Sequence, residues 1–168
     1  MGKRITISGY NQNTNRRRFL KVAAATSAGI WIPSSHAQSP NGRVNVACIG
    51  VGGKGSSDAD NAAKFGQVVA LGDIDDKRLK QKAKKFPDAK LFHDYRELLS
   101  VMGDKVDAVT VSTADHAHTA ASVMAMRLGK HVYFQKPLTH SVSEARLMRE
   151  TARKYKVITQ MGNLRDVH

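Results

Sequence analysis

A glycine-rich turn near residue 50 constrains the fold of this chain more than any other feature. The apolar run at 44–49 predicts a β-strand that leads directly into a Gly-x-Gly-x-x-Gly turn. The glycines of this turn are Gly50, Gly52, Gly53 and Gly55. This spacing permits a tight turn, close approach of the backbone to a phosphate, and close packing of the following helix on the strand. The amide groups and the dipole at that helix's N-terminus favour an anion, so we predict a phosphate-binding loop.

An acidic residue after the second apolar run extends this prediction to a dinucleotide site. Residues 67–72 predict the second strand, and Asp73 follows it eighteen positions after Gly55. An acid here accepts hydrogen bonds from the adenosine ribose and repels a 2′-phosphate, which favours NAD over NADP. Lys77 and Arg78 lie close enough in sequence to meet a 2′-phosphate, which leaves NADP open. The structural alternative is that Asp73 only caps the next helix.

Strands and helices alternate along the rest of the chain. Apolar runs rich in Val, Ile and Phe predict strands at 44–49, 67–72, 90–92, 106–112, 131–134 and 157–161. Helical periodicity predicts helices at 56–65, 76–86, 95–102, 116–128 and 141–155. Strict alternation implies a parallel sheet covered on both faces, with right-handed crossovers. We therefore predict an α/β fold over residues 43–168, a Rossmann-type doubly wound parallel sheet.

The first 37 residues resemble an export signal. Consecutive arginines at 16–18 precede Phe-Leu-Lys, and an apolar run of about eleven residues follows at 22–32. A membrane-spanning helix needs about 20 apolar residues, so we expect no stable membrane span. Paired arginines and small residues before position 37 are typical of twin-arginine signals. We expect residues 1–37 to engage the twin-arginine translocase, residues 38–42 to form a linker, and the protein to be periplasmic.

The basic charge of the chain raises nucleic acid as a partner. The formal net charge is +13, and it falls to +7 without residues 1–37, which hold six basic and no acidic residues. The remaining basic residues lie mostly at helical positions, as in 76–85, and this pattern is typical of a solvated helix face. No basic and aromatic strand pattern of the kind that binds single-stranded nucleic acid is present. We expect no nucleic-acid binding.

Neither a disulfide nor a metal site is expected. Cys48 is the only cysteine, so no intrachain disulfide can form. His116 and His118 are two positions apart on a predicted helix, so their side chains point in different directions. No third ligand is spaced to join them.

Polar residues at the ends of two later strands are candidates for the site, because ligands of open parallel sheets bind beyond the carboxyl ends of strands. Ser112, Thr113 and His118 follow the fourth strand, and we expect them to face the cofactor cleft. Lys136 follows the fifth strand, and Pro137 after it disfavours a helical backbone for the lysine. A lysine held there can exchange a proton with a hydroxyl or carbonyl group. The alternative is an ordinary surface lysine before a turn.

Several blocks of sequence carry a resemblance over residues 43–163. They are the glycine turn, Asp73, the segment 112–118, the Gly-Lys-His-Val run at 129–132 followed by Gln135-Lys136-Pro137, and the segment 159–163. Together these blocks resemble the Gfo/Idh/MocA family of NAD(P)-dependent oxidoreductases that act on sugars, inositol and related compounds. The arginine signal together with Gln-Lys-Pro resembles a subgroup exported by the twin-arginine route. The resemblance implies that Lys136 is the catalytic lysine and that Gln135 and Pro137 shape its loop beside the cofactor.

The chain departs from the family pattern in three places. Many members have Glu where this chain has Gln135, so a charge partnership with Lys136 is absent or altered, and Ala114 replaces a usual Pro. The family also has a second, α+β domain that supplies the substrate pocket, and the residues after Asn163 no longer follow the usual continuation. We therefore expect a Rossmann domain whose partner domain is missing and whose oligomeric state is open.

Three functions remain open from the sequence. The first is hydride transfer on a sugar or polyol, incomplete without the second domain. The second is an NAD-dependent glycoside hydrolase of the same family, which oxidises its substrate transiently. The third is a non-catalytic dinucleotide-binding module.

Overall fold

The computed structural model describes residues 42–163, which form a parallel sheet with helices between its strands. The strands are β1 (Val44–Ile49), β2 (Gly66–Gly72), β3 (Lys90–Phe92), β4 (Ala108–Val111), β5 (His131–Phe134) and β6 (Thr159–Met161). The helices are α1 (Lys54–Phe65), α2 (Asp76–Ala83), α3 (Tyr95–Met102), α4 (Asp115–Arg127) and α5 (Val142–Tyr155). A 3₁₀ turn, Gly103–Lys105, follows α3.

The order of the strands creates a cleft at the centre of the sheet. The six strands lie in the order β3-β2-β1-β4-β5-β6, and every neighbouring pair is parallel. The chain therefore winds outward from β1 in one direction and then returns to wind outward in the other. Between β1 and β4 the crossovers diverge, which opens a crevice beyond the carboxyl ends of these strands. The predicted Rossmann-type fold is confirmed.

Each face of the sheet carries its own apolar core. Val46 and Cys48 of β1 belong to a core beneath α1 and α2, whereas Ala47 and Ile49 belong to a core beneath α3, α4 and α5. This alternation follows from the two-residue period of a strand, which points successive side chains to opposite faces. Leu71 is fully buried in the first core, and such a leucine contributes about 1.5–3 kcal/mol of burial free energy. The sheet is thus covered on both faces, as predicted.

The helix starts follow local capping chemistry. Asp75 caps α2, and its carboxylate accepts hydrogen bonds from the backbone of Lys77 and Arg78. Ser141 and Glu144 form a capping box at the start of α5, so Ser141 rather than Ser143 is the cap. These side chains satisfy amide groups that have no partner inside the helix.

Some element boundaries differ from those expected. The second helix ends at Ala83 rather than at residue 86, because Lys85 and Phe86 donate to carbonyls three residues back and form turns before Pro87. Strand β4 begins at Ala108 rather than at residue 106, since Val106 closes the preceding 3₁₀ turn. Over residues 42–163 no helix has both the length and the apolarity to cross a membrane. The predicted signal at 1–37 and nearly all of the linker lie outside the described residues.

Candidate functional site

The glycine turn connects β1 to α1 so tightly that a side chain fits at neither Gly50 nor Gly55. Gly50 has φ +78°, and a Cβ atom there would lie 2.6 Å from the backbone oxygen of Ser112. A Cβ atom on Gly55 would overlap the carbonyl oxygen of Gly50. The Gly50 N–H also donates to Gly72 O at 2.7 Å, which joins the turn to the end of β2. These contacts explain the first and third glycines of the motif.

The N-terminus of α1 fits an anionic group. Gly53 is the N-cap with φ +51°, and neither a side-chain cap nor an acidic residue in the first turn occupies the helix start. The first backbone N–H groups of a helix have no intrahelical partner, and the dipole is positive there. The side chain of Arg78 packs against Gly52, where a Cβ atom would clash with Arg78 Cδ. The turn therefore has the geometry of a phosphate-binding loop, and the contacts of Gly50, Gly52, Gly53 and Gly55 with a cofactor stay a prediction.

Asp73 is tied to the glycine turn and does not cap α2. Its carboxylate accepts the N–H of Val51 at 2.8 Å and the N–H of Asp75 at 2.9 Å, one bond to each oxygen. Asp75 performs the capping instead. Each Asp73 oxygen keeps a second acceptor position, so the carboxylate fits the ribose hydroxyl groups that the sequence predicted for it.

A cleft of about 560 Å³ runs over these groups between the ends of β1, β2 and β4. Asp73, Ser112 and Thr113 line it, and Ile74, which is 91% exposed, stands at its edge. Arg78 also lines the cleft, where its guanidinium lies 3.3 Å from the Asp75 carboxylate. Ser112 and Thr113 thus line the cleft, and their contact with a cofactor stays a prediction.

A buried carboxylate, Asp58 on α1, joins the ends of β4 and β5. One of its oxygens accepts hydrogen bonds from Ser112 Oγ at 2.8 Å and from Gln135 Nε2 at 2.9 Å. The other oxygen lies 3.3 Å from Lys54 Nζ. Burial, and secondarily the negative charge of Asp58, raises the pKa of the Tyr133 phenol. Asp58 was not predicted from the sequence, although an acid three positions after Gly55 shares the buried face of the helix with that glycine.

His118 does not face the cleft, contrary to expectation. The side chain is fully buried at the start of α4, and its two ring nitrogens lie 2.8 Å from Pro137 O and 3.0 Å from Thr113 O. The ring therefore connects the loop after β4 to the loop after β5. Burial between these loops makes His118 a bridge beneath the site rather than a side chain open to a ligand.

Lys136 stands at the carboxyl end of β5 with an exposed side chain. Its backbone N–H donates to the side-chain oxygen of Gln135 at 2.9 Å, and its peptide bond to Pro137 is cis. Gln135 is buried, whereas Lys136 and Pro137 are exposed. The loop that the sequence singled out therefore has a buried anchor and an accessible amine.

The residues 42–163 contain no group of three His, Cys, Asp or Glu side chains arranged to hold a metal ion. Within the same range His116 is exposed while His118 is buried, so the two side chains do not converge.

The comparisons with known proteins agree with this geometry. A model of the GFO_IDH_MocA family, described as an oxidoreductase family with an NAD-binding Rossmann fold, matches residues 44–163. The chain belongs to the Gfo/Idh/MocA family. Its described part is the NAD-binding domain of that family.

Curated relatives of this Gfo/Idh/MocA chain include two kinds of enzyme. A glycosyl hydrolase family 109 protein of Solibacter usitatus is 36% identical over 151 residues, which cover 78% of this chain and 34% of that protein. The myo-inositol 2-dehydrogenase of Thermotoga maritima is 27% identical over 121 residues, which cover 71% of this chain and 36% of that protein. The chain therefore spans about a third of the length of these relatives.

Solved structures of other proteins superimpose on the chain. GenD2 from gentamicin A biosynthesis, in complex with NAD, matches with a TM-score of 0.66 and 25% identity over 71% of this chain and 34% of that chain. A probable dehydrogenase from Thermotoga maritima matches with a TM-score of 0.65 and 28% identity over 71% of this chain and 36% of that chain. The family model and the NAD-bound relative support NAD as the cofactor.

Proposed function

We propose that this chain is the NAD-binding part of an oxidoreductase that transfers hydride to or from a hydroxyl-bearing carbon of a sugar or polyol. The observation that carries the proposal is the position of Lys136, an exposed residue after β5, the strand that pairs with β4, whose end carries Ser112 and Thr113 of the cleft. Inositol 2-dehydrogenases among the relatives support the substrate class.

The residues of the chain divide the work between binding and proton transfer. The amide groups of the glycine turn hold the pyrophosphate, and the Asp73 carboxylate holds the ribose. When bound, NAD supplies the acceptor for the hydride that leaves the carbon. The hydroxyl proton passes to Lys136 Nζ as the hydride leaves the carbon, and in the reverse direction Nζ returns a proton to the carbonyl oxygen.

The test compares Lys136→Ala with Lys130→Ala, a lysine at the opposite end of β5. We expect Lys136→Ala to lower turnover of sugars and polyols, followed as NADH formation, by about 10²- to 10⁴-fold. NADH binding, followed by its fluorescence, should remain within about threefold because the glycine turn and Asp73 are untouched. Lys130→Ala should change neither. If Lys136→Ala abolishes NADH binding, the lysine holds the cofactor and does not transfer a proton.

A second candidate is an NAD-dependent glycoside hydrolase. The relative with 36% identity is a glycosyl hydrolase family 109 protein, whereas the inositol dehydrogenase of Thermotoga maritima is 27% identical. In this function the same lysine assists a transient oxidation of the sugar, and the hydride returns after the glycosidic bond has been eliminated. Release of nitrophenol from aryl glycosides, dependent on NAD and without net NADH formation, would favour it over the first candidate.

A third candidate is a dinucleotide-binding module without catalysis, since the described residues 42–163 match an NAD-binding domain. Binding of NADH without turnover of any sugar, polyol or aryl glycoside would favour it.

For localisation, we propose export through the twin-arginine translocase. Support comes from the arginines at 16–18 and the short apolar run that follows. Replacement of Arg16 and Arg17 by lysine should retain the protein in the cytoplasm of a bacterial host, as measured by fractionation. Unchanged export of this variant would contradict the proposal.

A further inference from the structure

The carboxylate of Asp58 connects the glycine turn with the loop that carries Lys136. Asp58 lies on the first turns of α1, is 5% exposed, and contacts groups from two other strand ends. Its partners Ser112 and Gln135 are 54 and 77 positions away in the chain. A carboxylate only accepts hydrogen bonds, so both partners must donate to it.

Gln135 passes this constraint on to the backbone of Lys136. Its Nε2 donates to Asp58 at 2.9 Å, which leaves its Oε1 to accept the Lys136 N–H at 2.9 Å. The orientation of the amide is fixed because the flipped orientation would place an amide oxygen against the Asp58 carboxylate and an NH₂ group against an N–H. The buried side chain of Gln135 therefore links two groups that do not touch each other.

We propose that Asp58 is a positioning residue that sets the backbone of Lys136 relative to the cofactor loop through Gln135. The importance of this position rests on the proposed function, in which Lys136 transfers the proton. The helix that carries Asp58 begins at the glycine turn, so one rigid element holds both the cofactor phosphates and the lysine loop. Catalysis depends on such alignment, since reacting groups must lie within about 3–3.5 Å in the right orientation.

The hydrogen bond between positions 58 and 135 joins a carboxylate to a carboxamide. Gln135→Glu would place two buried carboxylates within hydrogen-bond distance, and like charges at this separation repel strongly. Asp58→Asn can keep both bonds, because its amide oxygen can replace the one carboxylate oxygen that accepts from Ser112 and Gln135, whereas Asp58→Ala removes the acceptor. The double variant D58N/Q135E restores complementarity, because the new amide at position 58 can donate to the new carboxylate at position 135, which still accepts from Lys136. Ser112 can reverse its hydroxyl and accept from the new amide.

The experiment is a double-mutant cycle on the full chain, with the Lys136 amide as the probe. The chain is labelled with ¹⁵N-lysine, and Lys136→Arg identifies the signal by its loss. We expect Gln135→Glu and Asp58→Ala each to shift this signal and to raise its hydrogen-exchange rate by on the order of tenfold. Asp58→Asn alone should change the rate little, and D58N/Q135E should return it to within about threefold of the parent. Asp60→Asn, two positions further along α1, is the matched control and should not rescue Gln135→Glu.

A double variant D58N/Q135E that exchanges as fast as Gln135→Glu overturns the proposal, and so does an unchanged Lys136 signal in Asp58→Ala. If Gln135→Glu does not fold, Gln135→Met removes both hydrogen bonds without adding charge. It should raise Lys136 exchange, and adding Asp58→Ala to it should cause no further rise at this amide. A further rise would show that Asp58 acts without Gln135 and overturn the relay. The readout needs neither turnover nor bound NAD, so it is separate from the test of Lys136 in catalysis.

Discussion

Replacement of Gly55 by alanine tests whether the third motif glycine exists for close packing. The added Cβ would overlap the carbonyl oxygen of Gly50 and lie 2.9 Å from both the Gly50 carbonyl carbon and Ser112 Cβ. None of these atoms is on a flexible side-chain end. The Gly50 amide is bonded to Gly72 O, and the hydroxyl of Ser112 is bonded to Asp58.

The size of the effect follows from these distances. Carbon atoms pack comfortably at about 3.5–4.0 Å, so α1 must move by at least about 0.6 Å from Ser112 and further from the carbonyl of Gly50. Overpacking of a rigid site costs about 1–3 kcal/mol of stability. Because the added Cβ meets both the Gly50 carbonyl and Ser112, we expect a loss near the upper end of this range. A loss of about 3 kcal/mol corresponds to a change on the order of 100-fold in the folding equilibrium constant.

Gly103→Ala provides a matched control. Gly103 has a right-handed helical φ of −48°, and the nearest neighbour of its added Cβ is Leu128 Cδ1 at 4.0 Å. An alanine that fits without strain stabilises by about 0.4–1 kcal/mol, because the unfolded chain has fewer conformations to lose. Both variants replace glycine by alanine, but we expect Gly55→Ala to lower the free energy of unfolding and Gly103→Ala to raise it.

Urea unfolding followed by circular dichroism measures both variants, and NADH fluorescence measures cofactor affinity. We expect Gly55→Ala to lower the urea midpoint by roughly 1–3 M, given typical denaturant slopes of about 1–3 kcal/mol per M. The affinity for NADH should fall at least about tenfold because the helix start moves with α1. A Gly55→Ala chain with a free energy of unfolding within about 0.5 kcal/mol of the parent, and with unchanged affinity, would refute the packing argument.

Two further predictions concern titratable groups on the α1 and α2 side of the sheet. Hydrogen bonding from Lys82 lowers the pKa of Asp60 below its ordinary value of 3.8. The ionised carboxylate therefore stabilises the fold fully above about pH 4, and this contribution is lost as the pH falls through the lowered pKa. Lys82→Met should therefore unfold at a lower urea concentration than the parent at pH 7, with a gap that narrows below about pH 4; a constant gap would contradict this linkage. Burial raises the pKa of the Cys48 thiol to about 11, so iodoacetamide at pH 8 should modify it only after unfolding, as seen by mass spectrometry. Rapid modification of the folded chain would show that the strand opens.

Much of the fold was predictable because its signals are local. Strand runs and helical periodicity predicted β1, β3 and β5 and the helices close to their observed bounds, since period and turn chemistry act within a few residues. The glycine turn was predictable for the same reason, because it requires a positive φ and close contacts at fixed spacing. Helix ends were less accurate, since α2 stops where turn-type hydrogen bonds replace helical ones.

The tertiary structure decided which polar groups are buried together. Lys82 was expected on a solvated face, yet its side chain is 7% exposed and donates to Asp60 at 2.7 Å. His118 was expected in the cleft, yet it lies between two loops. Asp58 meets Gln135 across 77 positions only because β5 lies beside β4 and α1 packs over β4. Sequence alone determined where strands, helices and the phosphate turn form, because those depend on neighbours along the chain. The partners of buried charges depend on strand order, which brings distant segments together.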